Sequence, residues 1–188
     1  SQIKNEEYRS FYNHVLQEQG SPWLVIHNRI EGIIEYINLL FISENKLLSN
    51  ADNKKTSLQL YTNRVLISKN CSNLLPHYLR FVVGIIDSKD LSLNISRETL
   101  QNNKSMEIIK RSLSRRVLES IKSHLSKYKE KQESFINNFG EVIKEGLYNN
   151  NIEHEKEIIL SFCKFYSTKC DGMTNLDEYL LRMKENQK

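Results

Sequence analysis

Phe81–Ile86, FVVGII, is six residues without a polar side chain. A run of that length and character predicts a strand buried on both faces, which needs a covering layer on each side. The segment downstream of it constrains the fold as strongly. Residues from about Lys104 to Lys129 carry Met106, Ile109, Leu113, Val117, Ile121, Leu125 and Tyr128 at steps of three and four, with lysines and arginines on the other face. That is one long amphipathic helix. The stretch between them, Asp87–Gln101, DSKDLSLNISRETLQ, is a strand-to-helix junction.

Upstream, residues 5–18 form a first helix, with Tyr8, Phe11, Tyr12, Val15 and Leu16 as its apolar face. Packing in the core is the expected use of Tyr8 and Phe11. Gly20, Ser21 and Pro22 end that helix. Trp23–Ile30 and Ile33–Ile42 have strand character and are separated by the turn-forming Glu31 and Gly32. Residues 43–57 are a polar surface excursion. Leu58–Ser68 is the next strand, and Pro76 opens a short helical piece, PHYLR. Downstream, helices are expected over about Gln132–Gly146, Ile152–Phe165 and Leu176–Glu185, with a turn at Asp171–Asn175. The fold class is therefore α/β: a layered α/β sandwich with a mixed sheet over residues 1–130, followed by a helical extension over 131–188.

Composition narrows the class of protein. The 188 residues are 39% hydrophobic and 27% charged, as in globular domains. No stretch approaches the roughly eighteen apolar residues of a membrane span. The polar start SQIKNEEYRS is not a signal peptide. Because it starts at a serine, the sequence is expected to be a piece of a longer chain. Cys71, Cys163 and Cys170 are an odd count without a CxxC pair, and His154 is too far from Cys163 for a zinc site. Free thiols in a reducing, cytoplasmic compartment are expected. His27, without a second ligand at metal spacing, is expected to be structural.

Net charge is +4, unevenly spread: residues 104–131 hold nine lysines and arginines against three glutamates. A basic helix of this kind is an alternative nucleic-acid-binding surface. Few aromatic side chains lie among its charges to stack on bases, so a solvated helix face is the plainer account.

The chain carries no GxxxxGK[ST], GxGxxG, HExxH or GxSxG motif. Asp87 and Asp90 resemble a carboxylate pair, but turn and capping roles suit them better. Ser96 is a good N-cap and Glu98 suits the positive end of a helix dipole. Arg97 does not suit it. Gln101 shares a helix face with Arg97. An arginine at a helix N-terminus favours a bound anion, a phosphate above all. From charge alone, a surface ion pair with Asp87, Asp90 or Glu98 is the plainer account.

Several blocks carry a more specific signal. YRSFYNHV, HNRIEGIIEYINLLFI, LQLYTNRVLI, LLPHYLRFVVGIIDSKDLSLNISRETLQNN, FGEVIKEG and LDEYLLRMKENQ occur in this order from residue 8 to 187. Together they resemble the middle domain of the ninety-kilodalton heat-shock chaperones, their bacterial members in particular. The resemblance implies a parent that is a homodimeric, ATP-driven chaperone acting on unfolded or partly folded client proteins. ATP with Mg would be bound by an N-terminal ATPase domain, and dimerisation would lie in a C-terminal domain. Neither domain is expected here, nor is the smaller α/β subdomain that succeeds the RMKENQ block. By the same resemblance, Arg97 corresponds to the arginine that reaches the γ-phosphate of ATP, and Gln101 to the polar partner that steadies its loop.

The resemblance thus implies Arg97 and Gln101 as catalytic residues acting across a domain boundary. The fragment alone is expected to be a monomer, to hold no cofactor or metal, and not to hydrolyse ATP. Membrane and nucleic-acid partners are not expected. Three departures stand out. The family's RVFI reads Arg64-Val65-Leu66-Ile67, so an aromatic that often faces the nucleotide-binding domain is Leu66 here. Ser43 and Ser92 replace prolines, which loosens those turns.

Overall fold

The computed structural model describes residues 3–15, 20–44, 58–91, 104–149, 152–168 and 172–184. The chain forms two compact units, Ser1–Val117 and Leu118–Lys188. The division falls inside the long helix, upstream of the 130/131 boundary read from the sequence. The apolar stripe of that helix runs through the division without a break, so the periodicity carries no mark of it.

In the first unit, helix α1 (Asn5–Val15) precedes strands β1 (Pro22–Ile30), β2 (Tyr36–Ser43), β3 (Leu58–Thr62), β4 (Val65–Ser68) and β5 (Val82–Ser88). Helix α2 (Lys104–Lys127) comes after them. The five strands form one sheet in the order β1-β2-β5-β3-β4. The apolar run is thus the middle strand. It pairs antiparallel with β2 and parallel with β3, which makes the sheet mixed, as the sequence predicts.

The pleat divides the core into two layers. On one face, Val25, Leu39, Phe41 and Val83 pack against Tyr8, Phe11 and Tyr12 of α1. Phe41 takes the Tyr12 ring at 5.4 Å and the Phe11 ring at 6.1 Å between centroids. Tyr8 also meets His27, hydroxyl to Nδ1, at 2.9 Å, so this histidine has the structural role expected of it. On the other face lie Tyr36, Leu40, Ile42, Leu58, Leu60, Val82 and Ile86, all buried. The Tyr36 hydroxyl donates to Ser112 Oγ of α2 at 2.6 Å, placing α2 over that face. The order helix, sheet, helix is the expected sandwich.

Gly84 sits at the centre of this arrangement, opposite Leu40 on β2 and Leu58 on β3. Its φ is +151°, and a Cβ there would run into the Leu39 carbonyl oxygen and lie 2.8 Å from Leu40 Cα. Only glycine lets β2 come this close.

Two strand assignments differ from the sequence reading. Leu58–Ser68 is two strands, because Asn63 and Arg64 adopt φ of 50° and 65° and turn the chain back on itself. Strand β2 begins at Tyr36, not Ile33. Glu35 is held by the side chains of Ser88, at the end of β5, and Asp90, just past it, and Ile33 is left 91% exposed.

In the second unit, α3 (Gln132–Asn149) and α4 (Glu153–Phe162) pack through Phe135, whose ring meets Phe162 edge-on at 6.2 Å. Cys163 is completely buried in this unit, and burial pushes its thiol up to about 12. The helix expected to reach Phe165 ends at Phe162. Phe165–Tyr166 (β6) instead pairs antiparallel with Met173–Thr174 (β7), in part of what the sequence suggested was helix and turn. Helix α5 (Leu176–Leu181) starts at a capping box made by Asn175 and Glu178 and is shorter than expected.

Candidate functional site

Three segments meet at one end of the sheet. They are the β1–β2 connection, the β3–β4 turn and the residues just after β5. Pairing fixes their proximity: Tyr36 lies opposite Ser88, and Tyr61 beside Asp87. Short polar side chains then tie the segments together. Ser88 Oγ donates to the Glu35 carbonyl at 2.8 Å, and Asp90 Oδ2 accepts the Glu35 N–H at 2.5 Å. The Asp90 N–H donates to Ser88 Oγ at 3.3 Å. Asp87 Oδ1 accepts the backbone N–H of Arg64 at 3.3 Å. Both aspartates therefore serve as acceptors for backbone groups, the turn role that the sequence favoured over a catalytic pair.

Between these segments lies a cleft of about 460 Å³ lined by Arg29, Ile30, Glu35, Tyr36, Ile37, Asn63, Arg64, Asp87 and Lys89. Its size is in the range of small-ligand sites. Arg29 is held by Glu31 at 2.9 Å. Arg64 and Lys89 have no ion-pair partner among the described residues. Tyr36 lines the cleft but turns its ring toward α2. Its phenol is raised above the usual range by burial, against the opposing effects of its hydrogen bond to Ser112 and of nearby Arg116. Just outside the cleft, Val65 and Leu66 of edge strand β4 are 52% and 39% exposed.

The residues singled out from the sequence fall unevenly on this frame. Arg97 and Gln101, with Ser96 and Glu98, lie outside the described residues. What the structure gives is the point from which their segment departs: the tied corner of Ser88, Asp90 and Leu91, beside the cleft. Of the altered RVFI block, Arg64 lines the cleft and Leu66 is on the exposed edge. The basic helix keeps its apolar stripe buried, with Met106, Ile109, Leu113, Val117, Ile121 and Leu125 inside. Cys71 and Cys163 are free and buried, while Cys170 lies outside the described residues. Among the described residues no group of His, Cys, Asp and Glu could hold a metal ion, and no helix is long and apolar enough to cross a membrane. The cleft itself escaped the sequence reading, because its lining comes from three separated segments without a shared motif.

Comparison with known proteins gives a consistent result. The sequence matches the family described as "Hsp90 protein" over residues 1–188. It is 46% identical over 189 residues to the chaperone protein HtpG of Ehrlichia ruminantium (strain Gardel), covering 99% of this chain and 30% of that protein. It is 41% identical over 187 residues to the chaperone protein HtpG of Wolbachia pipientis wMel, covering 98% of this chain and 29% of that protein. The chain thus spans about 30% of the length of these curated relatives. Among solved structures, the middle domain of a Plasmodium falciparum heat shock protein superposes with a TM-score of 0.83 at 28% identity, covering 98% of this chain and 71% of that one.

Proposed function

The chain belongs to the Hsp90 protein family, and on that premise we propose that it serves as the coupling segment of a dimeric, ATP-driven chaperone that assists protein folding in the cytoplasm. The observation that carries this reading is the family match along the whole chain, joined to likeness with a domain described as a middle domain. The nucleotide-binding and dimerising parts belong to the parent protein on either side. Client proteins would be engaged in part through this segment.

In this reading Arg97 completes the ATPase site from outside the domain that binds the nucleotide. ATP, held with Mg by the parent's N-terminal domain, supplies the phosphoryl group. Arg97 would place a guanidinium beside the γ-phosphate, where a fixed cation stabilises charge as it develops. Gln101 would hold the arginine's loop. The tied corner at Ser88 and Asp90 supports the reading, because it gives the Arg97 segment a fixed point of departure. In this reading the nucleotide pocket and the base for the attacking water lie in the parent's N-terminal domain, so the segment on its own would neither bind ATP tightly nor hydrolyse it. Family membership favours this reading over a nucleic-acid-binding role for the basic helix.

The test is turnover in the full-length parent. Arg97→Ala should lower the ATPase rate about a hundredfold, the size of one lost charge-stabilising contact. ATP affinity should stay within about twofold, since that contact is worth little in the ground state. Unchanged turnover would overturn the assignment.

A further inference from the structure

The cleft at the sheet end has a feature that the proposed role of Arg97 leaves unexplained. Arg64 occupies the second position of a two-residue hairpin turn at a φ of 65°. That conformation is the province of glycine, and Asn-Gly is the usual pair in such turns. The chain has Asn63-Arg64 instead. A non-glycine residue held in a sparsely populated conformation points to a use for its side chain. The turn is held by Asp87, which accepts the Arg64 N–H, so the guanidinium is presented from a fixed backbone. It lines the cleft together with Lys89, and neither cation is neutralised by an ion pair among the described residues.

The rest of the lining restricts what can enter. Glu35 and Asp87 bring negative charge to the same cleft, and Arg29 brings positive charge already paired with Glu31. Ile37, paired with Asp87 and so on the same sheet face, supplies apolar wall. A multiply charged anion would meet the two carboxylates at a cost. A carboxylate flanked by N–H donors and an apolar group would satisfy all three kinds of wall at once. Its oxygens would take the Arg64 fork and Lys89, its amides the Glu35 and Asp87 oxygens, and its apolar part Ile37.

We propose that this cleft is a binding site for an acidic peptide segment, with Arg64 and Lys89 as the carboxylate receptor. The proposal does not depend on the reading of Arg97. An Arg97→Ala variant with normal ATP turnover would remove that reading and leave this one standing.

The experiment is a titration of the ¹⁵N-labelled chain with N-acetyl-Asp-Leu-amide at fixed ionic strength, following the amide signals of Asn63, Arg64 and Lys89. The expected result is saturation at about millimolar peptide. Binding should be at least tenfold weaker for the Asn-Leu peptide and for Arg64→Gln. Arg64→Lys should keep part of the affinity, having the charge without the fork. Lys89→Gln, which lies outside the turn, should also weaken binding and guards against a turn that fails to form. Equal binding by the two peptides, or by wild type and both glutamine variants, would overturn the proposal. So would saturable binding of inorganic pyrophosphate in place of the peptide, which would make the cleft a phosphate site.

Discussion

The carboxylate of Asp90 accepts the backbone N–H of Glu35 across 55 residues of chain, fastening the β1–β2 connection to the end of the central strand. Ser88 accepts from Asp90 and donates to Glu35 in the same corner. A charge-assisted bond that joins two distant segments resists the first opening of that end of the sheet. Asp90→Ala should cost about 1.5 kcal/mol in urea unfolding, the low end for a bond to a charged acceptor because the pair is exposed. Amide exchange at Glu35 should rise well above that of the strand centre. A slow Glu35 amide in the variant would show that Asp90 does not hold this corner.

Gly84 makes a harsher test. A methyl group there meets main chain of β2, not the end of a flexible side chain, and the residue's φ of +151° adds backbone strain. Gly84→Ala should destabilise the first unit by about 3 kcal/mol, the upper part of the range for overpacking a core. Thermal unfolding read by circular dichroism measures it. A change below the noise of the melt would mean that β2 and β5 separate more easily than their pairing implies.

Arg64 separates stability from binding. Arg64→Gly removes the cost of a left-handed non-glycine residue, less the entropy glycine adds to the unfolded chain. The net expectation is a gain of roughly 0.5–1 kcal/mol in unfolding free energy. The same change removes the guanidinium from the cleft. A stabilised chain that no longer binds the acidic peptide is the predicted pair of outcomes, and a loss of stability would contradict the strain argument.

Cys163 gives the pH dependence. Its thiol, ordinarily near 9.0, is pushed up to about 12 by burial, the nearby Lys144 pulling the other way. Between these two values the unfolded chain gives up a proton that the folded chain keeps. Unfolding is thereby favoured, so this group's contribution is fully present below about pH 9 and is lost as pH rises toward 12. Cys163→Ala should flatten the alkaline fall in stability, at the cost of a small cavity. In the native state at pH 8, a maleimide should leave Cys163 unmodified while modifying it readily in urea.

The parts of the fold that could be read from the sequence are those where one interaction dominates. The unbroken apolar run of β5 could only be an inner strand, and it is the middle one. The stripe on α2 could only be a buried helix face. The parts that could not be read turn on local compromises. Asn63-Arg64 lacks the glycine that advertises a two-residue turn, so β3 and β4 read as one strand. The paired strands β6 and β7 are two residues each, too short for alternation to appear. As for the proposed site, no spacing rule picks out Arg97 from the chain's other arginines; only its place in a run of family blocks does. The cleft is assembled by pairing between segments tens of residues apart, which a linear pattern does not record.

The central position of β5 also governs how the chain matures on the ribosome. It is the last of the five strands to be synthesised and the middle one in the sheet. Until Ser88 has emerged, β1–β2 and β3–β4 are two separate hairpins with no partner between them, and isolated hairpins are marginal in water. The parallel pairing of β3 with β5 and the long-range pairing of β2 with β5 then form together, closing large loops in one step. A nascent chain stalled before the Ser88 end of this segment has emerged would expose two sets of unpaired strand edges and most of the segment's future core. By its own strand order, a segment of a chaperone family spends the first part of its life in the condition of a client.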